Sequence, residues 1–393
     1  MYLYEDGSKL KNLPETIQFW GDFRAHCRAI NPDVLLVGEI WDATSVVKLY
    51  NGKIDFSFEF DLAEGILGAL KFGTTINLRE RVKNAYNNLS YNQFGTFVTN
   101  HDQNRIFDEL SGSVGKCKAA AGIYLNLPGV PFLYYGEEIA MAGSKPDEDI
   151  RRPMQWSAEP KSSFTSGTPW RALNSNYTIY NVATMEGQST SILNFYKKLI
   201  HTRNSLPALQ YGTYHEILAT DNAIMSFVRK HNNQVVLVLT NTVSNEYANV
   251  ELTLPTDVFT ESSYVVKDAL DNNKEYTITV SNGKTSGIDL GQYQTKVLVF
   301  EPTAEINFPT STLPTVTEPK HGNIFPNPVL NKIELHLYTW SKPVPFSILD
   351  ASSKTVFEGI LTKPKDTFDV SFLSNGVYYW CIEGEPSIRF VKE

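Results

Sequence analysis

Cysteine is scarce: Cys27, Cys117 and Cys381 are the only three in 393 residues. Their scattered spacing fits neither a metal knot nor a disulfide framework, so it says little about redox compartment. No apolar run approaches the roughly 20 residues that a membrane-spanning helix needs. No secretory leader is visible over the first residues, an absence without weight if the chain is a piece of a longer one. Positive charge is also in deficit, with 35 Lys and Arg against 43 Asp and Glu and a net charge of −8. That balance argues against nucleic acid as a partner and fits a soluble protein.

What is present is ample for packed cores. Hydrophobic residues make up 42% of the chain, and its length allows two to three domains. The 12% aromatic content suits sugar binding, because sugar rings stack on aromatic faces. It is equally what β-rich cores use, and most of the aromatics are expected there.

The stretch Val34-Leu-Leu-Val37 is an apolar run that reads as a parallel-sheet strand buried on both faces. Ile17, Trp20, Phe23 and Cys27 recur at helical spacing before it, so helix and strand form one α/β unit. Gly38 then lets something approach the backbone, and Glu39 arrives at the carboxyl end of the strand. In parallel barrels that end carries the chemistry. A Glu after an isolated apolar run more often just opens a solvated loop. Two neighbours shift the balance. Trp41 supplies an apolar wall of the kind that keeps a carboxyl protonated near neutral pH. And Thr96-Phe-Val-Thr99 repeats the pattern, running into Asn100, His101, Asp102 and Arg105, which can hydrogen-bond a polyol. A His-Asp dipeptide alone is an ordinary loop pair. Glu39 and Asp102 in this order, each after a barrel-like strand, jointly suit glycosidic bond cleavage.

Residues 11–30, 73–90 and 119–127 read as helices, 53–60 as a further strand or strand-like loop, and Val130 to Tyr135 as the last barrel strand. Asp61 and Glu64 read as a helix-start pair. Glu137 and Glu138 also lie at a strand end and, on position alone, rival Glu39 as the acid. The loop-rich segment 140–188 is long enough to be functional, with Trp156, Phe164 and Trp170 placed to pin it against the barrel mouth. Within it, Arg151 reads as an ion-pairing residue, and Arg152 divides evenly between pairing and sugar contact. Ser191 to Arg203 reads as a closing helix stopped before Pro207.

From Leu209 the period becomes two. Strands are expected at 223–228, 235–241 and 296–300, with turns at Asn232-Asn233, 271–273 and Asn282-Gly283. A Thr/Pro-rich stretch, 303–320, reads as an extended linker. Short β segments come after it, carried by Ile333/Leu335/Leu337, Phe346/Ile348 and Val377/Tyr379/Cys381.

Several of these stretches resemble the motifs of one family. Val37-Gly-Glu-Ile-Trp41 resembles the acid/base motif of the α-amylase family (glycoside hydrolase family 13). Phe97-Val-Thr-Asn-His-Asp102 resembles the motif of its transition-state-stabilising Asp and substrate-binding His. Pro128 to Glu138 resembles its eighth barrel strand, and Asp149 to Trp156 a stretch of oligo-1,6-glucosidase-like members. The likeness covers about residues 1–302. It implies an α/β plus all-β chain: the second half of a (β/α)8 TIM barrel over 1–208, then an antiparallel β-sandwich over 209–302. By the same likeness, Glu39 and Asp102 are catalytic and His101, Arg105, Trp41 and Arg152 bind an α-glucan substrate by a retaining mechanism. With the family pattern, Glu137 and Glu138 become structural or rim residues.

The family's nucleophile motif finds no match. Met1-Tyr-Leu-Tyr-Glu-Asp-Gly7 resembles the segment immediately downstream of that motif, with Tyr2 as the trailing aromatic, so the chain is expected to begin just after the nucleophile. A non-catalytic glucan-binding or remnant protein is the rival reading. The family's calcium sites lie mainly in segments not seen here, so no metal or other cofactor is expected of these residues. Finally, Ile324 to Val329, Leu373 to Tyr379 and Arg389 to Lys392 together resemble the C-terminal sorting domain of type IX secretion. The domain at 321–393 is therefore expected to be a small β-sandwich that engages that machinery and directs the protein to the surface or outside. An ordinary carbohydrate-binding β-sandwich is the alternative.

Overall fold

The structure, a computed structural model, describes residues 11–89 and 94–300, and then 306, 308, 322–325, 329–337, 343–351, 354–363, 365–382 and 388–392. Met1 to Gly7, and nearly all of the segment expected as a linker, lie outside the described residues. The chain divides into two compact units, Met1–Val316 and Thr317–Glu393.

The first unit begins with alternating helices and strands. Helix α1 (Pro14–Ile30) starts on a proline, whose fixed φ suits a first turn. It leads to β1 (Val37–Gly38), the short helix α2 (Thr44–Val47), β2 (Phe56–Phe58), α3 (Phe60–Phe72) and α4 (Ile76–Asn88). Leu62, Ile66, Ala69 and Leu70 bury one side of α3. Gly73, at φ 67°, then ends it in the left-handed conformation that residues with a Cβ avoid. Next come β3 (Phe94–Thr96), α5 (Ile106–Glu109), α6 (Val114–Tyr124) and β4 (Val130–Pro131). After the loop carrying α7 (Asp147–Ile150) and α8 (Val182–Glu186), α9 (Ile192–Ser205) gives way at Pro207 to α10 (Pro207–Tyr211). The strands form one parallel sheet in the order β1-β2-β3-β4, pairing Val37 with Phe56, Ser57 with Phe94 and Gly95 with Val130. Gly95 packs tightly here: a Cβ would sit 3.1 Å from the Phe132 ring and 3.2 Å from that of Phe58.

Three strand expectations need correction. The run Val34 to Val37 is not buried on both faces: Leu35 is 59% and Val37 41% exposed. Among the described residues β1 has β2 alone beside it, so its outer side finds no packing partner. The expected strand at 96–99 pairs instead over Phe94–Thr96, because its neighbour β2 hands over to a helix at Phe60. The expected strand at 130–135 shortens to Val130–Pro131, since Pro131 has no N–H to donate and Gly136 (φ 87°) turns the chain.

An antiparallel region comes next: β5 (Thr213–Glu216), β6 (Leu218–Ala219), β7 (Ile224–His231), β8 (Gln234–Asn241), β9 (Leu252–Thr253), β10 (Ser263–Asp268), β11 (Lys274–Ser281), β12 (Lys284–Ser286) and β13 (Thr295–Phe300). The Asn282-Gly283 turn has both residues at positive φ (51° and 73°), as a two-residue hairpin demands. The expected two-sheet sandwich is a single nine-stranded sheet, ordered β5-β7-β8-β13-β10-β11-β12-β9-β6. Its end strands β5 and β6 are consecutive in the chain and join at Ile217, whose carbonyl accepts from Ser226 Oγ of β7 at 2.7 Å. The sheet thus curls around Ile224, Leu237, Leu252, Ile278 and Leu298. Alternation marks an inward face but not whether that face closes on a second sheet or on itself.

The middle strands are apolar on both faces. Phe227, Val236, Val238 and Val297 join the core of the α/β part. Helix α6 lies so close that a Cβ on Gly122 would fall 1.9 Å from Thr295 Oγ1. Two buried arginines bind the backbone just after α6. Arg203 donates to the carbonyls of Leu125 (2.8 Å), Leu127 (3.2 Å) and Gly129 (2.9 Å). Arg229 of β7 donates to Asn126 O (2.8 Å) and Gly212 O (3.0 Å). Carbonyls at a helix C-terminus have no partners of their own and carry partial negative charge, so cations suit them.

The second unit has two sheets. One is β14 (Gly322–Phe325), β15 (Lys332–Leu337) and β18 (Lys365–Asp369); the other is β17 (Thr355–Leu361), β16 (Val344–Asp350), β19 (Gly376–Ile382) and β20 (Ile388–Lys392). Its core holds Ile333, Leu335, Phe346, Ile348 and Trp380, with the Phe346 and Trp380 rings stacked at 3.9 Å. On β19 the inward face is Tyr378/Trp380/Ile382, one residue out of step with the expected Val377/Tyr379/Cys381. Both faces of that strand are apolar, so alternation did not distinguish them.

Candidate active site

The carboxyl ends of β1, β2, β3 and β4 are each followed by an acid: Glu39, Glu59, Asp102 and Glu137. Parallel pairing places all four at one end of the sheet. Glu39 is exposed and meets Asn100, whose Nδ2 lies 3.5 Å from its Oε1. The Asn100 Oδ1 accepts the backbone N–H of Asp102 at 2.9 Å. One amide therefore links the loops that carry the two expected catalytic carboxylates.

Asp102 is held from the far loop. Arg151 donates to its Oδ1 at 2.6 Å, to the backbone carbonyl of His101 at 2.8 Å and to Asp147 at 2.9 Å. His101 stays exposed, with its Nε2 3.6 Å from Asp102 Oδ2. Arg151 is thus the ion-pairing residue expected, and its fork fixes both loop and carboxylate.

The other expected sugar-binding residues lie differently. Arg105 is 1% exposed. Its guanidinium lies 4.5 Å and 4.7 Å from the centres of the Tyr134 and Tyr135 rings and donates to Tyr135 O at 2.6 Å. Burial lowers its pKa from the usual arginine value. Arg152 pairs with Asp149 and donates to the carbonyls of Ala172 (2.8 Å) and Leu173 (3.1 Å), which folds its loop. Arg105 is closed to solvent, and the Arg152 guanidinium is engaged by its own loop. Trp41 stacks flat on Phe60 at 4.6 Å and keeps about half its surface exposed. Trp156, Phe164 and Trp170, expected to pin the long loop, are exposed. The loop is pinned by polar contacts: the Tyr134 and Tyr135 hydroxyls donate to Ile150 O and Arg152 O, and Asn174 donates to Ala142 O.

Two acids are buried structural groups. Glu137 accepts from the hydroxyls of Tyr124 (2.6 Å) and Tyr196 (3.1 Å), and burial pushes its carboxyl up to about 7. Its neighbour Glu138 is raised by burial as well. Glu59 was not among the residues expected at a site. It is fully buried, accepts from Thr44 Oγ1 at 2.7 Å and has its Oε2 without a partner. Burial, offset by the Thr44 bond and reinforced by the charge of Asp61, raises it to about 7. The one available signal was positional, since Glu59 comes after β2 as Glu39 comes after β1. Among the described residues, no group of three or more His, Cys, Asp or Glu is placed to hold a metal ion. No described helix is long and apolar enough to cross a membrane.

A parallel sheet with acids at its carboxyl edge is followed in the chain by an antiparallel sheet region. Residues 3–212 match the family described as alpha amylase, catalytic domain, and the chain belongs to that family. Residues 323–392 match the secretion system C-terminal sorting domain. Alpha-amylase 3 of Dictyoglomus thermophilum is 35% identical over 247 residues, covering 61% of this chain and 48% of that protein. The oligo-1,6-glucosidase of Bacillus cereus is 27% identical over 317 residues, covering 67% and 55%. Among solved structures, the alpha-amylase from H. orenii aligns with a TM-score of 0.62 at 32% identity, over 73% of this chain and 57% of that one. The chain spans about half the length of the curated relatives it matches.

Proposed function

We propose that this chain carries the acid/base side of a retaining α-glucan hydrolase, exported by way of its sorting domain. The observation that carries the reading is the link through Asn100, which sets Glu39 and Asp102 at one end of the sheet. Glu39 donates its proton to the glycosidic oxygen as the bond to the anomeric carbon breaks and a nucleophilic carboxylate from outside these residues bonds to that carbon, to be displaced by water in the second step. Glu39 then takes a proton from the water that releases the sugar. Asp102, oriented by Arg151, hydrogen-bonds sugar hydroxyls and stabilises the positive charge on the ring. His101 bonds the same sugar, and the exposed face of Trp41 offers it a platform. Arg105 and Arg152 act as supports of the surrounding loops.

In this reading the four parallel strands are the second half of an eight-stranded barrel. Residues 209–302 form an accessory β domain and 321–393 the sorting domain, joined by the Thr/Pro segment. The nucleophile belongs to a strand outside these residues, and no metal step is invoked.

The test is reducing-sugar release from soluble starch by three purified proteins: the 393-residue chain, a chain extended upstream to a full barrel, and the extended chain with Glu39→Gln. The short chain is expected to be silent and the extended one active. Glu39→Gln is expected to lose about 10²–10⁴-fold while still binding glucan. Robust turnover by the short chain, or an undiminished Glu39→Gln, overturns the reading.

A further inference from the structure

The loop that carries Glu39 and Trp41 is held by three consecutive residues, Glu59, Phe60 and Asp61, where β2 ends and α3 begins. The Phe60 ring stacks on that of Trp41. Asp61 Oδ2 accepts the backbone N–H of Thr44, the first residue of α2, at 2.9 Å. The Thr44 hydroxyl lies 2.7 Å from Glu59 Oε1 and 3.2 Å from Asp61 Oδ2. Thr44 and Glu59 are both closed to solvent, so the tie between loop and sheet end is made by these groups themselves.

One hydroxyl has one proton to give, and here two carboxyls lie within its reach. A protonated Glu59 donates to Thr44 Oγ1, which leaves the Thr44 proton for Asp61. An ionised Glu59 can only accept, so Thr44 serves one carboxylate and the other repels it. The charged groups that act on Glu59 are Asp61 of its own helix and Arg81 of α4. Arg81 is engaged elsewhere, donating to Asp61 O at 2.5 Å and pairing with Glu64 at 3.2 Å. From β3 the contact is neutral, with the Glu59 N–H donating to Gly95 O at 3.0 Å, and α2 presents the uncharged Thr44. The loop has a second tie, from Asp42 to Lys11 at 2.8 Å and Asn12 at 3.2 Å. Lys11 holds that carboxyl below its usual range, so this tie does not change state near neutral pH.

We propose that Glu59 is a positioning residue for the loop 39–47, holding Glu39 and Trp41 in place through Thr44 while its carboxyl carries a proton and releasing the loop when it does not. Burial puts the changeover at about 7. Once the loop lifts, Glu59 meets water and ionises at its ordinary 4.5, so a rise in pH above that value favours the lifted state. That this loop carries an acid/base rests on the proposed function; its coupling to Glu59 does not.

Amide hydrogen exchange of the purified 393-residue chain, read by mass spectrometry and corrected for the intrinsic pH dependence of exchange, measures the loop directly. Between about pH 5.5 and pH 8.5, exchange over 39–47 is expected to speed up about tenfold or more, and to stay faster than that of the buried residues of α3. Glu59→Gln, whose amide can donate as the protonated acid does, should keep the loop slow at both pH values. Thr44→Val, close in shape but without the hydroxyl, should make it fast already at the lower pH. If the extended chain fails to hydrolyse starch while this pH dependence persists, the positioning stands and the proposed function falls. A loop that exchanges at one rate at both pH values, that keeps its pH dependence in Glu59→Gln, that is unmoved by Thr44→Val, or that exchanges only in step with α3 overturns the inference.

Discussion

Glu59 is a carboxyl that folding keeps protonated. Its pKa is about 7 in the folded protein against 4.5 in an open chain. Below the lower value both states hold the proton and stability is unaffected. Between the two values the folded state holds more protons than the unfolded, so stability falls as pH rises toward 7. Above it the full penalty remains, about 3 kcal/mol at 1.36 kcal/mol for each unit. Glu59→Gln keeps an acceptor for Thr44 and removes the ionisation. Its melting temperature should exceed that of the wild type at pH 8 by several degrees and match it near pH 4.5; an equal difference at both pH values refutes the assignment. Arg151 makes a separate prediction. Arg151→Lys retains the charge but not the fork that grips Asp102 and the His101 carbonyl together. In the extended enzyme kcat/KM should fall roughly tenfold or more, with little change in melting temperature.

At the scale of elements, the close approach of α6 to β13 sets the tolerance of the interface. Gly122→Val must push Thr295 aside, and overpacking of this kind typically costs about 1–3 kcal/mol, read as a lowered melting temperature. Much of this layer was legible in the sequence. Hairpin turns at Asn232-Asn233 and Asn282-Gly283 announce themselves because few residues accept positive φ. The placement of Glu39 and Asp102 after strands was legible because each apolar run ends in a polar cluster. Burial was harder to read. Val34 to Val37 have the composition of a central strand, but their exposure depends on which neighbours are beside them. Arg105 sits in a polar motif and still lies under two tyrosines, a tertiary fact with no local signature. Glu59 escaped notice because an acid before a helix usually reads as solvated. The long loop's exposed tryptophans were misassigned for a related reason: polar contacts that hold a loop leave no periodicity.

For the molecule as a whole, the parallel sheet exposes the outer side of β1, and unpaired strand edges invite association. Residues 1–208 expressed alone should be insoluble or oligomeric; a soluble monomer with a sharp thermal transition would contradict this. Residues 321–393, with the Trp380-centred core, should melt cooperatively as a separate fragment in calorimetry.

Arg229 adds a consequence in time. It closes on Asn126, a residue made 103 positions earlier. At the usual pace of synthesis, about 5–20 residues per second, the carbonyl waits roughly 5–20 s for its partner to emerge from the ribosome. The turn into β4 is therefore translated well before all of its partners are. A nascent chain halted before β7 already has Arg203 but leaves the Asn126 carbonyl without its partner, and a ribosome pausing there prolongs the interval in which a chaperone has something to hold.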